Sequence, residues 1–272
     1  MARAQQLSEP RPVTQQPLHA VDLLVAAPSA GEITIDVAAC AVCRTDLQIV
    51  EGDIPARLLP LVPGHQAVGR VRELGDGVDQ WHVGQRVGVA WLGGSCGTCG
   101  LCTSGRENLC ERAEFTGWDR NGGYAEVMTA RADFAFSIPP SFSDVAAAPL
   151  LCGGIIGYRS LRISGIEPGG RLGLYGFGAS ALLALQVARF WGCEVFVATR
   201  SRVEQARAIE MGAAWAGSYP DAPAGTLDAV ITFAPVGYVV VEALKAVRPG
   251  GTVAINAIHL DTIPSFPYEL LW

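Results

Sequence analysis

Short apolar stretches separated by glycine and proline predict that the first half of the chain is rich in β-strands. The stretches EITIDVAAC, AVGRVREL, QRVGVAWL and YAEVMTA are each bounded by turn-forming residues. Short strands joined by such turns are typical of a small β-barrel or sandwich. We therefore expect residues 1–150 to form a β-rich domain.

From about Ala146 the pattern changes to an alternation of strands and helices. We predict RLGLYGF, EVFVATR, DAVITFAPV and TVAINAI as buried strands, GASALLALQVARFW as a helix, and VEALKAVRPGG as a helix that is stopped by its proline and glycine. The first of these helices is apolar on nearly all sides, as expected of a helix that packs against a sheet. Because strands that alternate with helices form parallel sheets, residues 151–272 are predicted to be an α/β domain.

Composition and charge restrict the possible partners. The chain has 272 residues, of which 50% are apolar, and its net charge is −6 with scattered basic residues. That distribution argues against binding to nucleic acid or to an anionic membrane, and favours a small neutral substrate. No apolar run approaches the roughly 18 residues of a membrane span, and the polar, proline-rich N-terminus lacks a signal core. We expect a cytoplasmic protein.

A glycine-rich stretch contains four closely spaced cysteines. Their spacing is C-x2-C-x2-C-x7-C, and they are Cys96, Cys99, Cys102 and Cys110. Four thiolates at this spacing are typical of a structural zinc site, which has no open position for chemistry. The alternative is a pair of disulfides, which persist poorly in a reducing compartment. The spacing thus predicts a zinc loop over residues 93–112.

A second motif follows the first strand of the predicted α/β domain. It has the form G-x-G-x-x-A and comprises Gly176, Phe177, Gly178, Ala179, Ser180 and Ala181. Its position between a strand and a helix favours a dinucleotide site, in which a pyrophosphate lies at the helix N-terminus. A tight turn without a ligand is the alternative. The setting predicts a nicotinamide coenzyme.

The end of the next strand bears on the choice of coenzyme. A carboxylate there would bind the ribose 2′-hydroxyl of NAD, but this strand ends in Thr199, Arg200 and Ser201. Arg200 can pair with a 2′-phosphate, so NADP is favoured over NAD. The alternative is that Arg200 stacks on adenine or points to water.

A third set of residues consists of Cys43 in CAVCRTDL, His65 in VPGHQAVG and Cys152 in APLLCGG. Together with the four-cysteine loop and the glycine motif, these segments resemble the zinc-dependent medium-chain alcohol dehydrogenases, from about Glu32 to about His259. The resemblance implies a GroES-like β-barrel domain, then a Rossmann doubly wound parallel sheet, with the active site in the cleft between them. The predicted activity is hydride transfer between NAD(P) and an alcohol, aldehyde or ketone of modest size.

Two cysteines and one histidine form a three-ligand zinc site with an open position for a substrate oxygen. With the four-cysteine loop, this gives an expectation of two zinc ions per chain. By position in the family motif, Thr45 would take the proton of the alcohol, Asp46 would orient His65, and Arg44 would contact the coenzyme pyrophosphate.

Two positions depart from the family pattern. Gln48 stands where many members carry a histidine that passes the proton to solvent, and glutamine cannot titrate. Gln66 replaces a glutamate that usually follows the histidine ligand. Trp91, Leu92 and Trp118 either line the substrate cleft or belong to the core.

The end of the chain is the last feature. The sequence stops at YELLW short of the six strands of a full Rossmann sheet. The sequence therefore predicts a C-terminally truncated family member with an open edge at the strand around 254–258, and the homo-oligomer of the family is not expected for it. An alternative function is a zinc- and nucleotide-binding remnant with little turnover.

Overall fold

The computed structural model describes residues 1–257 and 260–272, so Ile258, the last residue of the predicted strand TVAINAI, and His259 lie outside the described residues. The chain divides into two compact units, Met1–Cys152 and Gly153–Trp272. None of the helices in the described ranges has the length and apolar character that crossing a membrane requires.

The first unit is built on a five-stranded antiparallel sheet with the order β8-β3-β4-β5-β9. The alternation in EITIDVAAC buries Ile33 and Ile35, which pack with Val71, Val87 and Met128 in the core. The β-rich prediction for this half is confirmed. Its elements are β1 (Ala2–Leu7), β2 (Leu18–Leu23), β3 (Glu32–Cys40), α1 (Arg44–Glu51), β4 (Ala67–Leu74), β5 (Arg86–Val89), β6 (Leu92–Gly94), α2 (Gly100–Thr103), β7 (Glu114–Phe115), β8 (Val127–Arg131), β9 (Ala135–Ser137) and α3 (Asp144–Ala147).

The polar N-terminus forms a hairpin that the sequence pattern does not predict. Strands β1 and β2 pair antiparallel, with Ala2 opposite Leu23 and Leu7 opposite Leu18. Leu7 is fully buried, and its backbone exchanges two hydrogen bonds with Leu61, N to O, at 2.7 and 2.9 Å. These contacts with distant residues stabilise a hairpin whose own residues have weak strand preference.

The second unit is a five-stranded sheet in which every pairing is parallel, with the order β12-β11-β10-β13-β14. The prediction of a Rossmann-type sheet is confirmed. Its elements are α4 (Gly153–Ser164), β10 (Arg171–Tyr175), α5 (Ala179–Phe190), β11 (Glu194–Ala198), α6 (Arg202–Glu210), β12 (Trp215–Gly217), β13 (Leu227–Thr232), α7 (Gly237–Ala246) and β14 (Val247–Ile255).

Both faces of this sheet are covered. Leu172 and Leu174 of β10 lie in one apolar cluster with Ala184 and Leu185 of α5, while Tyr175 lies in a second cluster that includes residues of α7. The period of two residues along β10 produces this division, since successive side chains point to opposite faces. The parallel sheet brings the carboxyl ends of β10 and β11 side by side, with Tyr175 opposite Ala198.

Candidate functional site

The four-cysteine loop brings its sulfurs to the spacing of a tetrahedral metal site. The Sγ–Sγ distances are 3.8 Å for Cys96–Cys102, 3.5 Å for Cys99–Cys102 and 4.0 Å for Cys99–Cys110. Zinc–sulfur bonds of about 2.3 Å in a tetrahedron place the sulfurs about 3.8 Å apart. All eight cysteines of the chain are free, so the disulfide alternative is not what the structure contains. The donor set therefore fits zinc.

Backbone groups around this loop favour thiolates. The N–H of Cys99 donates to Cys96 Sγ, and the N–H of Arg112 donates to Cys110 Sγ, both at 3.4 Å. Backbone hydrogen bonds from Thr98 and Cys99 lower the pKa of the Cys96 thiol to about 5. The ends of the loop are closed by the antiparallel pairing of β6 with β7.

A second cluster lies inside the first unit. The ligand atoms of Cys43, His65 and Cys152 all lie within 4.8 Å of one another, with the two sulfurs 3.9 Å apart. His65 is buried and the two cysteines are half-buried. Two thiols and one imidazole are ligands that zinc prefers, and three ligands leave a fourth position open. This donor set also fits zinc.

The start of helix α1 fixes this cluster through one carboxylate. Cys43 is the N-cap residue, and its backbone N–H donates to Asp46 Oδ2 at 2.8 Å. The other oxygen, Asp46 Oδ1, lies 2.8 Å from His65 Nδ1, which leaves Nε2 as the nitrogen available to a metal. A carboxylate behind a histidine is the usual way in which a metal-binding ring is oriented.

Neighbouring groups in this cluster shift one another's pKa values. The contact with the Cys152 thiol, assisted by His65, lowers the pKa of Cys43 to about 4. Burial opposes a charge on His65, but hydrogen bonds with Asp46 and Cys43 raise the pKa of His65 to about 9. The contact with Cys43, with burial, raises the pKa of Cys152. The cluster thus favours a negative charge on the Cys43 sulfur, which suits a divalent cation.

Close backbone packing holds the segment that carries His65. Segment 62–65 is bonded by segment 122–124, and the N–H of Gly123 donates to the Gly64 carbonyl at 2.8 Å. A Cβ on Gly122 would lie 2.0 Å from that same carbonyl oxygen, so only glycine fits there. Sequence analysis missed this contact. The paired glycines in NGGY were the only signal that could have indicated a close approach.

An aromatic stack, formed by Trp91, Phe115 and Trp118, lies beside the cluster. The ring centroids of Trp91 are 5.0 Å from Phe115 and 5.7 Å from Trp118, and both pairs are stacked. The Trp91 ring also meets His65 edge to face at 4.9 Å. Both tryptophans are partly buried against the small cluster around Leu7 and Ile49, so they combine a core role with a position next to the ligands.

The other residues predicted for catalysis lie on helix α1. Thr45 is buried in the first turn, two residues beyond Cys43, and Gln48 lies half-buried one turn later. Arg44 is exposed. Gln66 is buried, and its side-chain amide donates to the Ala41 carbonyl at 3.2 Å, which gives it a structural contact.

In the second unit the glycine motif forms the turn between β10 and α5. Gly176 has φ +87°, and a Cβ there would lie 2.8 Å from the Ala234 nitrogen. Gly178 is the N-cap of α5, and no side chain caps this helix end. Phe177 is buried, Ala179 is exposed and Ser180 is half-buried. The unpaired N–H groups of such a helix end suit an anion.

Thr199 and Arg200 follow strand β11, whose end lies beside that of β10. Thr199 is buried and its carbonyl accepts a hydrogen bond from Gln205 Nε2 at 2.7 Å, whereas Arg200 is exposed. Ser201 caps helix α6 by accepting from the Glu204 N–H at 3.3 Å. The backbone at Arg200 therefore lies in an ordered turn, and its side chain is open to solvent.

Comparisons with known proteins agree with this arrangement. Residues 29–140 match the family model of the alcohol dehydrogenase GroES-like domain. The chain is 47% identical over 271 residues to the probable alcohol dehydrogenase AdhA of Mycobacterium tuberculosis. The aligned region covers 98% of this chain and 78% of that relative. It is 36% identical to an alcohol dehydrogenase of Geobacillus stearothermophilus, over 87% of this chain and 73% of the relative.

Solved structures show the same fold. A cinnamyl alcohol dehydrogenase from Sorghum bicolor is 28% identical, with a TM-score of 0.89 over 99% of this chain and 80% of that chain. A "putative zinc-binding dehydrogenase" from Sinorhizobium meliloti bound to NADP is also 28% identical, with a TM-score of 0.89 over 100% of this chain and 81% of that chain. This chain belongs to the medium-chain alcohol dehydrogenase family, whose zinc-dependent members its two cysteine clusters resemble.

Proposed function

We propose that this protein is a zinc-dependent oxidoreductase that interconverts an alcohol and an aldehyde or ketone with NADP(H). The observation that carries the proposal is the convergence of Cys43, His65 and Cys152, whose ligand atoms lie within 4.8 Å of one another. A zinc ion held there supplies Lewis-acid polarisation of the substrate oxygen, which favours hydride transfer to the nicotinamide.

The residues around the ligands handle the proton and the geometry. Thr45, buried in the first turn of α1, presents a hydroxyl that accepts the proton of the substrate alcohol. Asp46 holds the His65 ring through Nδ1 and keeps the ligand set in place. Gln48 has no titratable group, so the proton leaves through ribose hydroxyls or water.

The coenzyme site is proposed at the carboxyl ends of β10 and β11. The N–H groups at the start of α5, from Gly178 onward, receive the pyrophosphate. Arg200, exposed after β11, pairs with the 2′-phosphate. The NADP bound to the Sinorhizobium meliloti relative supports this choice of coenzyme.

The four-cysteine cluster is proposed to hold a second, structural zinc ion, so each chain carries about two ions. The substrate is a neutral alcohol or aldehyde of modest size, because aromatic rings lie next to His65. The alcohol dehydrogenases among the relatives support this substrate class.

Turnover measurements on a ligand variant test the proposal. Cys152→Ala should abolish alcohol oxidation and remove one zinc ion while the fold is retained, because the site keeps only two ligands. Cys40→Ala is the matched control, since Cys40 is also half-buried but lies outside the cluster. Full activity in Cys152→Ala would contradict the proposal.

The coenzyme assignment is tested with the same assay. Wild type should use NADP(H) better than NAD(H). Arg200→Ala should lower the ratio of activity with NADP(H) to activity with NAD(H) by about tenfold to a hundredfold, as expected for loss of a charge-assisted hydrogen bond. Arg202→Ala, an exposed arginine two positions on, should leave the ratio unchanged. An NAD preference that Arg200→Ala does not alter would reject the role of Arg200.

A further inference from the structure

A set of contacts joins the loop after helix α1 to the aromatic stack. This loop, residues 52–60, follows the helix that carries Thr45 and Asp46. The Arg57 guanidinium lies 3.7 Å above the centroid of the Trp118 ring. The same group donates from Nη1 to both carboxylate oxygens of Asp119 at 3.2 and 3.3 Å. In the reverse direction, Trp118 Nε1 donates to the Pro55 carbonyl at 2.9 Å.

Trp118 and Asp119 belong to a tight turn over residues 115–119, which is held by its own hydrogen bonds. The Phe115 N–H donates to Asp119 Oδ2 at 2.8 Å, and the Asp119 N–H donates to the Phe115 carbonyl at 2.9 Å. The side chain of Asp119 is only 18% exposed, whereas that of Arg57 is 50% exposed. Asp119 is therefore a fixed anchor, and Arg57 is the part that can move.

Trp118 is connected to the ligand cluster through contacts between aromatic rings. Trp118 stacks on Trp91 with an interplanar angle of 16°, and the Trp91 ring meets His65 at 4.9 Å. A change at Arg57 can thus tilt the ring next to His65 without touching a ligand. An exposed ion pair alone contributes little, but here the same guanidinium also makes a cation–π contact and covers a tryptophan face.

We propose that Arg57 is a positioning residue that sets substrate discrimination by holding Trp118 against the 52–60 loop, and thereby the Trp91 ring that stacks on Trp118. This proposal rests on the proposed dehydrogenase function for its kinetic consequence but not for its structural one. Because its rings carry no group that the proposed chemistry uses, we expect the stack to contact the apolar part of a substrate. Loss of Arg57 therefore weakens binding in the ground state and transition state alike, which raises KM and leaves kcat nearly unchanged.

The experiment compares Arg57→Ala with Arg72→Ala. Arg72 is a matched control because it is also 50% exposed and also pairs with an aspartate, Asp36, at 3.1 Å. Two probe substrates are used: benzyl alcohol, whose ring offers a large apolar surface to the stack, and ethanol, whose two carbons offer little. Near-UV circular dichroism of the tryptophans reports the Trp91–Trp118 stack without any need for turnover.

We expect Arg57→Ala to alter the near-UV signal and to raise KM for benzyl alcohol about fivefold to tenfold, as a lost cation–π contact allows. KM for ethanol and both kcat values should change by less than about twofold. Arg72→Ala should match wild type throughout. If Arg57→Ala matches Arg72→Ala in both the spectrum and KM, the proposal is wrong.

Two further variants keep the test decisive. Asp119→Asn removes the charge but retains a carbonyl oxygen for the Phe115 N–H, so it should reproduce the effects of Arg57→Ala even if that variant folds poorly. Arg57→Lys keeps the charge without the planar stacking surface, and its KM and near-UV signal should fall between those of wild type and Arg57→Ala.

If wild type oxidises no alcohol, the proposed function fails by itself. The spectra of Arg57→Ala and Asp119→Asn then decide the positioning role, and an unchanged signal in both overturns it.

Discussion

At the scale of single residues, Asp46 is the side chain on which the ligand cluster depends. It is 2% exposed, and its two oxygens serve two different partners, the Cys43 N–H and His65 Nδ1. Both partners are on or directly beside proposed metal ligands. An amide in its place has one acceptor only, so one of these contacts must be lost.

We therefore expect Asp46→Asn to weaken zinc binding at Cys43, His65 and Cys152 by about tenfold to a hundredfold, the usual effect of removing an orienting carboxylate. Dialysis against a mild chelator, followed by elemental analysis, should leave about one zinc ion per chain in place of about two. Asp36→Asn, at an exposed aspartate, serves as the control. Retention of both ions by Asp46→Asn would show that the carboxylate is dispensable.

The residues that sequence analysis could predict are those whose chemistry demands local spacing. Cys96, Cys99 and Cys102 follow this rule, since one metal ion requires short linkers between its ligands. The contact of Arg57 with Asp119 could not be predicted in this way, because the two residues are 62 positions apart and neither belongs to a motif. Only the folded backbone brings them together.

At the scale of elements, the turn between β10 and α5 contains two glycines with different physical roles. Gly176 is required by the backbone, because its φ is +87° and a Cβ would press on the Ala234 nitrogen. Gly178 has φ −92°, and a Cβ there would meet nothing within 4 Å. Gly176 therefore serves the fold, and Gly178 leaves space for a ligand.

This difference predicts separable effects of two alanine substitutions. Gly176→Ala should lower stability by about 1–3 kcal/mol, the usual cost of a strained backbone conformation, measured by thermal unfolding. Gly178→Ala should leave Tm unchanged and weaken coenzyme binding, measured by nucleotide fluorescence titration, because the methyl group occupies the space of the pyrophosphate. The reverse pattern of Tm and affinity would contradict this division of roles.

Three strands of the second unit are joined at one carboxylate. Asp228, on β13, accepts from the Arg171 N–H at 2.7 Å and from Arg248 Nε at 2.6 Å. These two donors lower the pKa of Asp228. A carboxylate with a lowered pKa contributes stability above its unfolded pKa of about 3.9, and this contribution disappears as the pH falls through the folded value.

Asp228→Asn should accordingly lower Tm at pH 7, and the difference from wild type should shrink at pH values below about 4. Thermal unfolding of both proteins at several pH values measures this. Asp79→Asn, at an exposed position, should show little difference at any pH. A Tm difference for Asp228→Asn that stays constant down to pH 2 would rule out the carboxylate charge as its cause.

Strand patterns were predictable where one face is buried, and less so elsewhere. The alternation in β3 indicated a strand because its apolar side chains face a core. The hairpin of β1 and β2 was missed because ARAQQL contains small and polar residues, whose strand conformation depends on pairing with Leu61 and with each other. Tertiary contacts decide such segments, and local preference does not.

At the scale of the whole molecule, the order of motifs along the chain was enough to predict the family and both halves of the fold. The cysteine spacing also predicted a zinc loop over residues 93–112, and the burial of its side chains indicates why this segment depends on metal for its structure. Across residues 95–112 the only buried side chain is Cys110, and helix α2 is four residues long. Such a segment has too little apolar burial to order itself.

We therefore expect the two cysteine clusters to respond differently to substitution. Cys99→Ala should expose residues 95–112 to limited proteolysis and lower Tm, because structural zinc contributes on the order of 10 kcal/mol to folding of the segments that depend on it. Cys43→Ala should lose one zinc ion and activity with a small change in Tm, since its surroundings retain the buried His65–Asp46 contact and the packing of Ile49. Mass spectrometry of the cleavage products locates the exposed segment. Equal protease resistance of Cys99→Ala and wild type would show that the loop is ordered without its metal.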